Sequence, residues 1–250
     1  MSDVIWRESP NHTERRGGGV PALVVLHYTG MESAQGAIDR LCDPTAEVSA
    51  HYLIDSHGRV TQLVEEDRRA WHAGRSAWGG IDDVNSWSIG VELANEGPLC
   101  GFPPFPEPMM RAAEDLIGAI LGRWQIAPER VLGHACIAPG RKTDPGAKFD
   151  WRRLALGGHT VWLPPPISTS DAMADAERFR LAARAFGYPV DMDKTDQGKG
   201  WTPDLMAVWE AFSLRFLAPS PLALLGPSAA GVEHLEALAQ RWPVVDPAGI

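Results

Sequence analysis

A chain of 250 residues with 44% hydrophobic and 22% charged content is long enough for one large or two smaller packed domains, and its composition does not fit a disordered chain. The formal net charge of -9, with no long basic run, argues against nucleic acid or an anionic membrane as the main partner, since both need basic surface. The 3 cysteines, Cys42, Cys100 and Cys136, form no CxxC pair and speak against a disulfide framework. No stretch has the length of a membrane span, and MSDVIWRESPNHTERRGGGVPALVV lacks the layout of an export signal.

In chain order, the β-branched run ALVVLHYT at 22 to 29 reads as a strand and 33 to 42 as a helix. HYLID at 51 to 55 and RVTQLV at 59 to 64 read as strands joined by a hairpin turn at His57 and Gly58, so at least one strand pair is antiparallel. WSIGVELA at 87 to 94 is a further strand. Over 108 to 124, Met109, Ala112, Ala113, Leu116, Ile120 and Trp124 recur at helical spacing. The expected class is α/β (α+β), a mixed central β-sheet flanked by helices.

GGHTVWLPPPISTS, 157 to 170, favours an extended, exposed connection and separates an expected domain at 1–160 from one at 171–250. Beyond it the β signal vanishes. Met173, Ala176, Phe179, Ala183 and Phe186 share a face over 171 to 187; Leu205, Val208, Trp209, Phe212 and Phe216 over 203 to 217; Val232, Leu235, Leu238, Ala239 and Trp242 over 232 to 242. Thr202 before Pro203 marks a helix start. The reading is a small three-helix bundle whose aromatic face is core.

The chemistry is concentrated upstream. In GHACIAPGRKTDPG, 133 to 146, Pro139, Gly140, Pro145 and Gly146 set a path over the surface on which His134, Lys142 and Asp144 are expected to be presented rather than packed. His27 ends one strand pattern and Glu92 lies in another. Two imidazoles and a carboxylate are the ligand set of a catalytic zinc site with a fourth position for water, and a separate carboxylate can take the proton. The same residue types also suit hydrogen-bonded structural roles, and Cys136 is itself a good zinc ligand type.

VVLHYT, VSAHYLIDSHGRVTQLV, RAWHAGRSAWGG, WSIGVELAN and GHACIAPGRKTDPGAKFDW, in that order, resemble the zinc-dependent N-acetylmuramoyl-L-alanine amidases of the AmpD and AmiD type over roughly residues 20 to 156. The resemblance implies a mixed sheet flanked by helices, with one zinc ion per chain in a surface groove. It implies hydrolysis of the amide between the lactyl group of N-acetylmuramic acid and the L-alanine of the stem peptide, in peptidoglycan or in (anhydro)muropeptides. The implied ligands are His27, His134 and Asp144, with Cys136 outside the set. Glu92 is the implied proton carrier and Lys142 the stabiliser of the developing oxyanion. His51, Trp71, His72 and Arg75 fall in motifs that look like the groove rim and are expected to bind substrate, and Trp78 and the loop 95 to 108 to shape the groove.

Phage lysozyme-type amidases and peptidoglycan recognition proteins commonly carry a tyrosine where this chain has Ala50, and often a cysteine where it has Asp144. FGYPVD, DQGKG and WTPDLMAVWEAFSLRF resemble the three-helix peptidoglycan-binding module that follows AmiD-type catalytic domains, with EAFSLRF in place of the usual glutamine-rich helix. That tail favours a polymeric wall substrate and an envelope or periplasmic location, while the missing signal leaves cytoplasmic recycling open. A monomer is expected. Two other readings stand beside this one: a non-catalytic peptidoglycan-binding or sensing protein, and a lytic effector against other cells.

Overall fold

The computed structural model describes residues 4–165, 173–190, 200–218 and 226–244. The chain divides into two compact units, one of Met1–Arg75, Asp83–His134 and Asp144–Val161, the other of Ser76–Asp82, Ala135–Thr143 and Trp162–Ile250. Two internal segments within the span expected for the first domain therefore pack in the second unit.

The first unit is built on the strands β1 (Ile5–Trp6), β2 (His12–Glu14), β3 (Leu23–Tyr28), β4 (Tyr52–Ile54), β5 (Val60–Gln62), β6 (Arg68–Ala70), β7 (Ser88–Leu93) and β8 (Val131–Gly133). Six of them form one sheet in the order β1-β5-β4-β7-β3-β8, and β2 with β6 forms an antiparallel ribbon. The sheet is mixed: β4 and β5 are antiparallel, whereas β4, β7, β3 and β8 run parallel. Leu23, Val24, Val25 and Leu26 are fully buried, as a parallel strand covered on both faces requires.

The hairpin expected at His57-Gly58 is present. Asp55 Oδ1 accepts from the amides of His57 and Arg59, each at 2.9 Å, and closes the turn. Gly58 has φ +79°, and a Cβ there would lie 2.5 Å from the Pro108 carbonyl oxygen, so glycine is required both by conformation and by space.

Helices α1 (Ala34–Leu41), α2 (Val84–Trp87), α3 (Glu107–Trp124), α4 (His134–Ile137) and α5 (Trp151–Leu156) follow the chain order. Ser33 caps α1 by accepting from the Gly36 amide at 3.1 Å. The expected face of α3 is borne out at Met109, Ala113, Leu116 and Ile120, which are buried together with Met110 and Ile117. Trp124 instead anchors through its edge, donating from Nε1 to Glu66 Oε2 at 2.6 Å. Leu53 of β4, fully buried, packs with Ala37, Leu41 and Leu63 between sheet and α1. Leu53→Ala is expected to destabilise the unit by about 2–5 kcal/mol, read as a lower urea midpoint at unchanged slope.

In the second unit, α6 (Ala176–Phe186), α7 (Pro203–Phe212) and α8 (Ala229–Arg241) carry the apolar faces seen in the sequence. Thr202 caps α7, its hydroxyl accepting from Leu205 N at 3.2 Å, with Pro203 at the first helical position. The chain continues beyond α7 through a π-helical turn, Ser213–Leu217. Met173 departs from expectation. It is 94% exposed, because Asp175 caps α6 and leaves Met173 before the helix. α8 begins earlier than its large apolar residues indicate, since Ser228 accepts from the Gly231 amide and starts the helix on Ala229 and Ala230. Trp78 packs edge-on against Phe186 and Tyr188, and the Tyr188 hydroxyl lies 3.9 Å from Cys136 Sγ, which explains why 76–82 and 135–143 belong to this unit. Residues 166–170 of the expected connection, 171–172 of the expected second domain and most of DQGKG lie outside the described residues.

Candidate metal centre and active site

β3, β7 and β8 run in the same direction, so their carboxyl ends lie at one edge of the sheet, where open parallel sheets place their sites. His27 lies near the end of β3, in register with Glu92 of β7, and paired residues project to the same face. Leu26 pairs with Gly133, the last residue of β8, and His134 follows at once. At Gly133 a Cβ would come within 2.8 Å of Pro145 Cδ, so glycine lets the Asp144-Pro145 segment lie against the strand end. One edge of the sheet thus collects His27, Glu92, His134 and Asp144.

The three expected ligands meet. His27 Nδ1 lies 2.9 Å from His134 Nδ1 and 3.0 Å from Asp144 Oδ2, and His134 Nδ1 lies 3.1 Å from the same carboxylate oxygen. Among the described residues this is the group of His, Cys, Asp and Glu side chains able to hold a metal ion, and Cys136 is not in it. His27, His134 and Asp144 are 2%, 3% and 6% exposed. The turn-rich stretch therefore buries His134 and Asp144 instead of displaying them, contrary to expectation. HACI forms one helical turn, and only Lys142 of the three is exposed. Burial opposes ionisation of Asp144, but its close contacts with His134 and His27 outweigh it and hold the carboxyl well below the usual carboxylate range.

The surroundings aim the clustered atoms. His134 Nε2 lies 3.1 Å from the Ala73 carbonyl oxygen, which can only accept, so Nε2 carries the proton and Nδ1 is turned to the cluster. His27 Nε2 faces His72 Nδ1 at 3.1 Å. Burial, followed by the neighbouring His27, pushes the His72 pKa well below its ordinary value, so this imidazole is neutral. A Cβ on Gly90 would lie 2.5 Å from the His72 ring; glycine makes the space that His72 fills.

The chain from residue 17 to 147 matches the family model for N-acetylmuramoyl-L-alanine amidase. The chain belongs to this amidase family. AmiD of Escherichia coli strain K12 is 39% identical over 183 residues, 68% of this chain and 61% of that protein, so the match spans about three-fifths of the length of this relative. AmpD of Haemophilus influenzae is 33% identical over 171 residues, 61% of this chain and 91% of that protein. The solved E. coli AmiD, in complex with the substrate anhydro-N-acetylmuramic acid-L-Ala-D-γ-Glu-L-Lys, superposes with a TM-score of 0.77 at 30% identity, covering 96% of this chain and 94% of that one.

Within this amidase fold the other expected site residues fall into distinct places. His51 is fully buried. The Gly90 amide donates to its Nδ1 at 2.9 Å and its Nε2 faces the Arg68 carbonyl at 3.1 Å, so both ring nitrogens hold backbone rather than a groove rim. Burial, and then the charge of Arg15, push its pKa down to about 3. A histidine held neutral in this way favours the native state fully above its ordinary pKa of 6.5, and that contribution is lost as pH falls from there towards about 3. The protein in chelator is expected to lose about 2 kcal/mol from this residue between about pH 7.5 and pH 5, measured by urea unfolding, and His51→Gln to flatten that slope.

Trp71 is half-buried; its backbone amide donates to Ser49 Oγ at 2.8 Å, and its indole Nε1 is buried with no hydrogen-bond partner among the described residues. Arg75 is exposed. The loop after β7 carries a 3-10 turn at Gly97–Cys100 with Leu99 and Phe102 exposed, and Phe102 meets Tyr28 edge-on. No helix among the described residues is long and apolar enough to cross a membrane.

Proposed function

We propose that this chain is a zinc-dependent amidase that hydrolyses the bond between the lactyl carbonyl of N-acetylmuramic acid and the L-alanine nitrogen of the stem peptide. The convergence of His27 Nδ1, His134 Nδ1 and Asp144 Oδ2 carries the reading. Two imidazole lone pairs and a carboxylate oxygen repel one another unless a proton or a cation lies among them. Their separations approach the roughly 3.3 Å edge of a tetrahedron built on zinc-ligand distances of about 2.0–2.1 Å, and the donor set is that of catalytic zinc. Zinc held by these residues supplies a Lewis acid that polarises a carbonyl and acidifies a water molecule.

The remaining chemistry belongs to side chains. Glu92, half-buried and in register with His27, takes a proton from the attacking water and delivers it to the departing alanine nitrogen. The carbon-nitrogen bond breaks, leaving a carboxylic acid on the lactyl group and a free amine on L-alanine. Lys142, assigned by its motif match in KTD, stabilises the developing negative charge. Trp71, with its orphaned indole N–H, and Arg75, exposed and cationic, are the expected substrate contacts for a peptide carrying carboxylates. His51 and His72 support the site from behind.

AmiD is named for the amidase activity on muramoyl-L-alanine, and AmpD for the 1,6-anhydro form of that substrate. We place this chain with AmiD on a wall polymer in the cell envelope, because FGYPVD, DQGKG and WTPDLMAVWEAFSLRF in its second unit resemble the sequence of a peptidoglycan-binding module. Incubation of purified sacculi with the zinc-loaded protein should release free stem peptides, and a chelator should stop it. Cleavage of a soluble anhydromuropeptide with none of sacculi would assign recycling instead, and cleavage of neither would leave a binding protein.

A further inference from the structure

The segment 84–88 carries groups that no motif assigned. Ser88 Oγ donates to the Val84 carbonyl at 2.6 Å, which uses its only proton. The same oxygen lies 3.1 Å from His72 Nε2 and must therefore accept, placing the His72 proton on Nε2. His27 Nδ1 faces Asp144 and His134 and offers its lone pair to a metal there, so the His27 proton sits on Nε2 and closes the 3.1 Å contact with His72 Nδ1, which accepts. Three residues along the segment, Asn85 Oδ1 accepts from the amides of His72 and Ala73 at 3.1 and 2.9 Å. It holds the backbone of Ala73, the residue whose carbonyl orients His134. The segment is itself clamped: the Arg15 guanidinium donates to the carbonyls of Asn85, Ser86 and Ser88 at 3.3, 2.9 and 3.0 Å.

We propose that Ser88, through His72, and Asn85, through the Ala73 backbone, are positioning residues that fix the tautomer and aim of both histidine ligands, so that the metal site is set before the metal arrives. The proposal rests on the reading of His27, His134 and Asp144 as metal ligands, and it assigns no contact with substrate to either residue. A hydroxyl at 88 works because it donates in one direction and accepts from the other; a methyl group there would leave the His72 Nε2 proton without its acceptor and free the ring to exchange tautomers.

The test is a long-range nitrogen-proton NMR spectrum of the imidazoles in the full, metal-free chain, with zinc affinity measured by chelator competition. In the native protein His27 and His72 should both show the Nε2–H tautomer. Ser88→Ala should introduce the Nδ1–H form of His27 and weaken zinc binding by about 10- to 100-fold, and Ser88→Thr should restore both. Asn85→Ala should weaken zinc binding without altering the His72 tautomer. A native His27 carrying its proton on Nδ1 would overturn the relay without any variant. An unchanged tautomer and zinc affinity in folded Ser88→Ala would overturn it equally. Because these readouts need no turnover, a protein that shows the relay, binds zinc and cleaves nothing would sink the amidase reading alone.

Discussion

Glu92→Gln is expected to bind zinc as the native protein does and to lose turnover by about 10²–10⁴-fold, the usual contribution of a positioned acid-base group. The amide is close in size to the carboxylate, so the cross-strand registers with His27 and Leu53 should survive and stability change little. What disappears is the capacity to take a proton from water and return it to the alanine nitrogen. The loss should fall on kcat, with KM nearly unchanged, because the group acts on the reaction and not on the stem peptide. A Glu92→Gln protein within a few-fold of native kcat would remove Glu92 from the mechanism while leaving the metal site intact.

Asp144→Ala is the second large effect. It removes the one anionic donor and leaves two imidazole nitrogens 2.9 Å apart in a buried site, so a divalent cation loses both a ligand and a counter-charge. Zinc affinity should fall by more than the roughly 10–100-fold typical of losing a supporting residue. The same substitution separates ligand from scaffold through stability. At free zinc about 1,000-fold above its Kd, the native protein should gain about 4 kcal/mol over its chelated form, and the Asp144→Ala protein close to none at the same zinc. Equal stabilisation of both by zinc would place the metal elsewhere.

The cluster of His27, His134 and Asp144, with Glu92 beside it, was legible because each residue stands in an ordered string with neighbours that constrain it: His27 closing an apolar strand, Glu92 within SIGVEL, His134 and Asp144 bracketing a Pro-Gly turn. The mixed sheet, the hairpin at Gly58, the helix α1 and the faces of α3 and α7 were legible for the same local reasons of period and capping. Burial of His134 and Asp144 was not, since turn residues dictate the path of a chain and say nothing of what later covers it. The strands β1, β2, β6 and β8 span only two or three residues and are too short for a period to show. α8 begins on small residues, so only its Ser228 cap could have given the start.

The surroundings of His51 and His72 were not legible for a further reason. Both look like surface histidines of a motif, and only three-dimensional packing shows one locked between backbone groups and the other behind His27. Ser88 and Asn85 were invisible for the same cause. Ser88 stands 16 residues from His72 and Asn85 stands 12 from Ala73, and polar residues at such spacings are found throughout the chain. Supporting shells are set by tertiary contact, whereas ligands announce themselves by chemical type.

The most direct measurement is mass spectrometry of anhydro-N-acetylmuramoyl-L-Ala-D-γ-Glu-L-Lys after incubation with the full chain in three states: as zinc-loaded protein, after chelation, and after zinc is returned. The account predicts two products, the anhydromuramic acid with a free lactyl carboxylate and the tripeptide with a free alanine amine, present in the first and third states and absent in the second. Cleavage at any other bond, cleavage indifferent to the chelator, or an intact substrate with zinc bound at His27, His134 and Asp144 would contradict it.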